Sequence, residues 1–335
     1  MNNVFISVIV TTYNGEKYLA QQLDSILAQT YKNLDIIISD DASTDDTAAI
    51  AADYALRDSR IIFYRHDKNI GLHANLEYAL KRIRGTYVAI SDQDDIWKLD
   101  KIEKLLGNIG NHVAIFSDSE LIDSKGVALG TTVMQSVKVK DWDSCAMPLN
   151  LLFKNVVSGH ALLFHKALLD VVLPFREGLI FDHHLAIISS LYGGLAFFPH
   201  PLVLHRIHGC NHTNKNIADE KRTSSSSGES KMLRRQRYRE VLRVKVDAVR
   251  AGCGIGGKAL SDLGFDLDKG LVDDLKDIAA KIESFESGFF DVPLFLSLFH
   301  MNKKYRYQKA LRFKRCFTLS KGDAWYRLAA KFGVR

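Results

Sequence analysis

Residues 86–95 read Thr86-Tyr-Val-Ala-Ile-Ser-Asp-Gln-Asp-Asp95, an apolar run that ends in three carboxylates within four residues. The run 86–90 predicts a short buried strand. Carboxylates packed this closely repel one another unless a cation or hydrogen bonds compensate. Oxygen ligands of this kind suit Mg²⁺ or Mn²⁺. The stretch therefore indicates a metal site at the end of a strand, with a solvated acidic turn as the plainer alternative.

The same pattern extends to both sides of this strand. Strand-like apolar runs lie at 5–11, 34–39, 60–64, 86–90 and 112–116, and apolar residues at helical spacing lie at 18–29, 44–56, 73–83 and 98–106. Strands that alternate with helices predict βαβ units, and hence an α/β fold with a mostly parallel sheet flanked by helices. Further strands are predicted at 161–164 and 195–198, with a helix at 181–192 between them.

Polar residues follow four of these strands, at 11–14, 40–41, 65–67 and 92–95. Sheets of this type bind ligands just beyond the carboxyl ends of their strands, so we expect the four sets to meet along one rim. Tyr13 is placed to stack on a base, and a carboxylate at 40–41 to accept a hydrogen bond from a base or a ribose. Ser43 or Thr44 and the acids Asp45 and Asp46 suit the N-terminus of the following helix, and capping by one of the carboxylates at 40–41 is the alternative to their ligand role.

The second half of the chain differs in charge from the first. The chain has 335 residues, 47% hydrophobic and 25% charged, with a net charge of +6. Lys and Arg concentrate after Lys231, and a Ser-rich stretch precedes them. We therefore predict a first domain at 1–220, a linker at 221–230 and a basic helical region at 231–335. Such a region suits an anionic surface, and a solvated helix face is the alternative.

Composition also bears on the compartment. No apolar run reaches the ~18 residues that span a bilayer. The beginning of the chain lacks the basic and apolar segments of a signal peptide. Cys145, Cys210, Cys253 and Cys316 show no CxxC spacing and are typical of free thiols. The expected location is the cytoplasm, with peripheral contact at the inner face of the cytoplasmic membrane as a further expectation.

Other candidate functional residues lie outside the first half of the sheet. Arg206 could pair with a diphosphate through its planar guanidinium, and His208 could ligate a metal. A zinc site from His205, His208 and His212 is a further possibility that no cysteine spacing supports. Asp182, near the start of a predicted helix, is a candidate general base, although a carboxylate there could simply interact with the helix dipole.

A glycine-rich stretch at 252–258 resembles a phosphate-binding loop only in part. Ala259 follows its lysine, where such a loop needs Ser or Thr to hold Mg²⁺. We interpret the stretch as a turn that ends a helix.

The order of these segments resembles glycosyltransferase family 2, the enzymes with the GT-A fold. The resemblance covers about residues 4–215 and rests on four motifs: Ser7-Val-Ile-Val-Thr-Thr-Tyr-Asn14, Asp40-Asp-Ala-Ser-Thr-Asp45, Asn69-Ile-Gly71 with Asn75, and Ser91-Asp-Gln-Asp-Asp-Ile-Trp97. The last has the form common in the rhamnosyltransferase-like branch. By resemblance, residues 1–118 bind the nucleotide sugar and 119–220 form the acceptor side.

The resemblance assigns a role to each motif. Nucleotide-sugar binding falls to Thr11, Tyr13, Asn14, Asp41, Asp92 and Arg206. Asp92 is placed near the sugar or ribose. Asp94 is the expected ligand of Mn²⁺ or Mg²⁺, and His208 is expected to meet the metal or the diphosphate. Asp182 occupies the position of the catalytic base, although His183-His184 replaces the family's usual neighbours.

The implied function is an inverting, metal-dependent transfer of a sugar, rhamnose favoured, to a hydroxyl of a cell-surface glycan, a lipid-linked glycan or lipopolysaccharide. The implied donor is dTDP-rhamnose, with a UDP-hexose as the alternative. Two more distant alternatives are a nucleotidyltransferase and a non-catalytic nucleic-acid binder that uses the basic region. The acidic rim argues against the second, so no nucleic-acid partner is expected.

Overall fold

The structure, a computed structural model of the chain, describes residues 4–137, 151, 155–209, 244, 248, 258–270, 272–274, 277 and 280. The strands of these ranges are β1 (Ile6–Thr12), β2 (Leu34–Asp40), β3 (Ile61–Arg65), β4 (Tyr87–Ser91), β5 (Ile96–Trp97), β6 (Ala114–Ile122), β7 (Ala128–Thr132), β8 (Leu162–His165) and β9 (Leu195–Arg206). The α-helices are α1 (Leu19–Leu27), α2 (Thr47–Arg57), α3 (Leu72–Leu80), α4 (Lys101–Asn108), α5 (Val133–Ser136), α6 (Leu169–Val172), α7 (Phe181–Leu191) and α8 (Lys258–Ser261). None of the helices in these ranges combines the length and apolar character that crossing a bilayer requires.

All nine strands belong to one sheet. Its order is β3-β2-β1-β4-β8-β6-β9-β5, with β7 paired to β6. Strands β3, β2, β1 and β4 are parallel, and so are β6 and β9, whereas β8, β7 and β5 run antiparallel to their neighbours. The predicted α/β fold is confirmed, and the parallel pairing belongs mainly to its first half, where helices connect the strands.

The parallel half of the sheet is buried on both faces, which explains its continuous apolar runs. Ile9 and Ile37 point to the face covered by α3 and α7, and their neighbours Val8 and Ile36 point to the face covered by α1 and α4. The two apolar layers bring the carboxyl ends of β1, β2 and β4 to a common edge. Polar residues that follow these strands therefore lie side by side.

Helix α2 begins at Thr47, three residues later than the sequence pattern predicted. Asp45 accepts a hydrogen bond from the Thr47 backbone at 3.1 Å, so Asp45 serves the first turn. The capping role expected of Ser43 or Thr44 was wrong. Ser43 instead accepts from the backbone of Asn14 at 2.9 Å, and the Thr44 backbone donates to the Asn14 side chain at 2.9 Å. Both residues join β2 to the loop after β1.

Some of the described residues beyond 240 pack on the face of the sheet that carries α7. Ala248, Leu260 and Val272 are buried in the same apolar cluster as that helix, and Leu267 forms a β-bridge with Tyr192. The predicted linker at 221–230 and most of the region 231–335 lie outside the described residues. The domain boundaries therefore stay a prediction.

Candidate active site

The four polar sets meet at one edge of the sheet, as the strand pattern predicted. Gln93 joins the first set to the last, because its side chain accepts from the Tyr13 backbone N–H at 2.9 Å and donates to the Tyr13 carbonyl at 3.1 Å. Thr12 donates to Asp40 at 2.8 Å, and Arg65 lies 3.7 Å from the same carboxylate. Side chains far apart in the chain thus form one continuous rim.

The loop after β1 has a backbone fixed by its neighbours. The amide of Tyr13 donates to Gln93, and that of Gly15 donates to Thr47 at 2.7 Å. The side chain of Tyr13 remains 47% exposed, and Thr11 is half-buried. The loop therefore presents an aromatic ring to solvent from a rigid base, as stacking on a planar ligand requires.

Asp41 is buried, and both of its carboxylate oxygens have partners. They accept from the backbone N–H groups of Ile70 at 2.7 Å and Gly71 at 2.9 Å. Gly71 has a φ of 86°, a conformation that favours glycine. Asn75 donates to the Ser39 carbonyl at 2.9 Å. The stretch 69–75 is thus anchored to the end of β2, and direct contact of Asp41 with a nucleoside stays a prediction.

Asp94 and His208 form a close pair. His208 Nε2 lies 2.6 Å from Asp94 Oδ2, and each side chain is 14% exposed. Burial raises the pKa of Asp94 to about 6, the charges of Asp95 and Asp92 add to the rise, and His208 opposes it. The two residues predicted to meet the metal are therefore adjacent and accessible from one side.

Asp95 is fully buried and links β4 to β9. It accepts from His205 Nδ1 at 2.9 Å and from the Arg206 backbone at 3.0 Å. Burial alone would raise the pKa of Asp95, but His160 and His205 hold it at about 2. Burial would likewise lower the pKa of His205, yet Asp95 raises it to about 9. This ion pair anchors the acidic motif at 92–95 to β9. Sequence reasoning did not assign Asp95 this role.

Arg206 is only 2% exposed and faces protein acceptors. Its Nε donates to the Asp94 carbonyl at 2.8 Å and its Nη2 to Gln21 at 2.7 Å, while the guanidinium lies 4.5 Å from the centre of the Tyr18 ring. These contacts favour a role for Arg206 in holding the acidic motif at 92–95 in place. The role predicted for Arg206 at a diphosphate stays a prediction.

The donor set at this edge suits a divalent cation. Asp94 Oδ2 and His208 Nε2 offer one oxygen and one nitrogen within reach of a single ion. Beside them, one ligand atom each from Asp92, Asp95, His160 and His205 lie within 4.8 Å of one another. Asp95 Oδ2 is buried and accepts no hydrogen bond from the described residues. The clustered negative charge is of the kind that a bound cation stabilises. His205 and His208 contact different carboxylates, which gives no support to a shared zinc site, and His212 lies outside the described residues.

Asp182 lies in the first turn of α7, with a residue exposure of 9%. Asn155 Nδ2 donates to Oδ1 at 2.7 Å, and the Gly159 backbone donates to Oδ2 at 3.2 Å. Burial raises the pKa of Asp182 to about 6, the charge of Asp92 adds to the rise, and the two hydrogen bonds oppose it. A carboxyl group with this pKa can exchange a proton near neutral pH.

Comparison with known proteins assigns this arrangement to a family. The sequence pattern of Glycosyl transferase family 2 matches residues 7–144. An uncharacterized glycosyltransferase of Haemophilus influenzae is 31% identical over 226 residues, 62% of this chain and 67% of that protein. The chain belongs to glycosyltransferase family 2. The prediction of a glycosyltransferase enzyme is thereby confirmed, whereas the rhamnosyltransferase-like branch stays a prediction. The chain spans about two thirds of the length of the curated relatives it matches first.

Solved structures support the fold of this glycosyltransferase. S. aureus TarS 1-349 in complex with UDP-GlcNAc has a TM-score of 0.57 at 17% identity, covering 98% of this chain and 92% of that one. The mannosyltransferase PcManGT of Pyrobaculum calidifontis, in complex with GDP-Man and Mn²⁺, has a TM-score of 0.52 at 16% identity, covering 91% and 88%. At these identities the likeness concerns the fold.

Several residues of the site were missed by sequence reasoning. Asn155, Gly159 and His160 come from a segment without a recognised motif, and nothing in the sequence places them beside Asp182 and Asp92. Lys101 is fully buried, and burial lowers its pKa well below the usual range, against the charges of Asp95 and Asp92. Its one sequence signal is helical spacing with the apolar Leu105.

Proposed function

We propose that the chain transfers a sugar from a nucleoside-diphosphate sugar to a hydroxyl group of a cell-surface glycan, a lipid-linked glycan or lipopolysaccharide, with inversion at the anomeric carbon. The observation that carries the proposal is the buried carboxyl of Asp182, whose pKa of about 6 is raised partly by the charge of Asp92. A base poised near neutral pH thus lies within electrostatic range of the acidic motif. This arrangement supports proton abstraction beside a bound donor.

The reaction needs one proton transfer and one displacement. The acceptor oxygen forms a bond to the anomeric carbon, its proton passes to a carboxylate oxygen of Asp182, and the bond from that carbon to the phosphate oxygen breaks. The electron pair leaves on the nucleoside diphosphate. A general base of this kind contributes typically ~10²–10⁴-fold. Attack and departure on opposite faces of the sugar invert the configuration.

Asp94 and His208 are the residues that would hold Mn²⁺ or Mg²⁺, which would supply positive charge where the diphosphate develops negative charge. The chain's own part is to hold the Asp94 carboxylate in position beside His208. Arg206 supports that position by donating from its side chain to the Asp94 carbonyl. Asp95, the next residue in the chain, supports it by accepting from the Arg206 backbone.

A nucleotidyltransferase is a weaker candidate on structural grounds. Such an enzyme needs free backbone amides after the first strand to bind phosphates. Here the amides of Tyr13, Asn14 and Gly15 donate to Gln93, Ser43 and Thr47. The loop therefore offers a ring and side chains to a ligand while its amides stabilise the protein.

The donor is proposed as dTDP-rhamnose, supported by the Asp-Gln-Asp-Asp form of the motif, with UDP-hexoses as the alternative. A panel of dTDP-rhamnose, UDP-glucose, UDP-galactose, UDP-GlcNAc and GDP-mannose with Mn²⁺ tests both points. We expect one donor to raise the melting temperature and to be hydrolysed slowly, and we expect EDTA to abolish both effects. No effect from any donor, with a folded protein, would contradict the proposed function. NMR of a transferred sugar reports inversion or retention.

Peripheral membrane contact through the basic region is part of the proposal. Anionic leaflets attract clusters of Lys and Arg by ~1 kcal/mol per residue near the surface. Truncation before residue 231 would also remove Leu260 and Val272 from the core, so charge removal is the better test. Replacing the five basic residues of 231–239 by Gln should abolish co-sedimentation with phosphatidylserine vesicles and leave donor hydrolysis intact. Unchanged co-sedimentation would refute the contact.

A further inference from the structure

His160 is buried between the acidic motif and the body of the sheet, with an exposure of 3%. Its Nδ1 lies 3.3 Å from Asp92 Oδ2 and 3.5 Å from Asp95 Oδ2. Its Nε2 lies 2.9 Å from the hydroxyl of Ser119. One ring nitrogen therefore contacts the acidic motif, and the other contacts β6.

The ring and backbone of His160 are fixed from two further sides. The ring stacks on that of His205 at 4.4 Å between centroids, with 15° between the planes. Lys101 Nζ donates to the His160 carbonyl at 2.6 Å and lies 3.3 Å from the centre of the Trp97 ring. A buried amino group is costly unless it is hydrogen-bonded, so this contact helps to fix where residue 160 lies.

The residue before His160 holds the proposed base. The Gly159 backbone and the Asn155 side chain donate to the two oxygens of Asp182. A Cβ atom on residue 159 would lie 2.6 Å from the Phe181 ring, a distance that requires a shift of the ring. Gly159 thus allows the segment to approach α7 closely. Two consecutive residues contact the base and the acidic motif.

From this geometry we infer that His160 is a positioning residue for the transfer, orienting Asp92 through Nδ1 while Gly159 orients Asp182. The side chain of Asp92 is 42% exposed. On its buried side the carboxylate contacts His160, and this contact restricts its rotation. The segment 155–160 then sets the separation between the donor side and the base. The inference rests on the proposed function and adds a residue to it.

Two substitutions of His160 test the contributions of its two ring nitrogens separately. Asparagine places its amide nitrogen near the position of Nδ1, and glutamine places its amide near Nε2. His160→Asn should keep kcat for hydrolysis of the donor selected from the panel within ~3-fold of the native value. His160→Gln should lower kcat by ~10–100-fold, since a displacement of about 1 Å costs rates of this order. Both variants should melt within a few degrees of the native protein.

Two further readouts distinguish positioning from structural support and from metal ligation. In a cycle of His160→Gln with Asp92→Asn, the effects on kcat should be strongly non-additive, because both variants lose the same contact, and the coupling in kcat should exceed that in the free energy of unfolding. The Kd for Mn²⁺ by calorimetry should change less than ~3-fold in His160→Gln. A tenfold weaker Kd would assign His160 as a ligand and overturn the inference.

Failure of the inference differs from failure of the proposed function. If the native enzyme hydrolyses a donor and Asp182→Asn abolishes this, the proposed function stands. Full activity of His160→Gln would then refute the role of His160 alone. Equal losses in the Asn and Gln variants, each in proportion to a lower melting temperature, would also refute it. If no donor is hydrolysed by the native chain, the proposed function itself fails.

Discussion

The acid limb of the pH–rate profile tests the assignment of Asp182 as the base. The carboxyl must be ionised to accept a proton, and its pKa is raised to about 6 from an ordinary value of 3.8. Activity is therefore expected above this pH and is lost as the pH falls through it. At pH 5 roughly a tenth of a group with pKa 6 is ionised, compared with over ~90% for a group with pKa 3.8. We expect kcat/KM to fall about tenfold between pH 7 and pH 5.

The assay is donor hydrolysis by the 335-residue chain between pH 4.5 and 8, at two Mn²⁺ concentrations. Asp94 also has a pKa of about 6, so its titration would produce an acid limb in the same pH range. The limb of a metal ligand moves with the Mn²⁺ concentration, because the metal and the proton compete for the same carboxylate. A limb that belongs to Asp182 stays in place. Asn155→Ala removes a hydrogen bond that lowers the pKa of Asp182, so its limb should move to higher pH.

Asp182→Asn should lower kcat by ~10²-fold or more and remove the limb. Asp170→Asn is the matched control, because it makes the same chemical change at an exposed position of α6 and should leave the profile unchanged. A profile flat down to pH 5 in the native enzyme, or an Asp182→Asn variant of near-native activity, would refute the reasoning.

Three further predictions follow from the contacts of the site. Asp94→Asn should abolish the Mn²⁺-dependent rise in melting temperature and lower kcat by ~100-fold or more, because it removes the anionic ligand paired with His208; a persistent metal shift would contradict this. Gly159→Ala should lower the free energy of unfolding by about 1–3 kcal/mol in urea melts, since the new methyl overlaps Phe181; native stability would show that the ring moves freely. Arg206→Met should cost about 1.5–3 kcal/mol by the same measurement, because the Asp94 carbonyl and the Gln21 side chain lose a charged donor, and a loss below ~0.5 kcal/mol would refute its supporting role.

Much of the site was predictable because it lies on the parallel half of the sheet. There the apolar period identifies each strand, and strand direction places the following residues on one rim. Tyr13, Asp40, Gln93 and Asp94 could therefore be brought together from sequence order alone. The exact start of α2 was less predictable, since Ser43, Asp45 and Thr47 compete for the same backbone groups.

The supporting residues could not be predicted in this way. Asp95 looks like a third member of an acidic turn, but the fold buries it between His160 and His205, where ion pairs compensate for lost hydration. Arg206 was expected at a diphosphate, and its contacts with the Asp94 carbonyl and the Gln21 side chain were not foreseen from the sequence. Burial and partner choice depend on strands that pair across more than a hundred residues.

The sequence by itself determined the fold class, the family and the acidic motif, because local apolar periods and motif order encode them. Tertiary structure alone decided which carboxylate is exposed, which is paired, and which has a pKa near neutrality. Those properties depend on desolvation and on charges brought close by β9 and by the segment that precedes β8. Asp92, Asp94 and Asp95 stand in one acidic run of the sequence, and the fold leaves Asp92 42% exposed while it buries Asp95 completely.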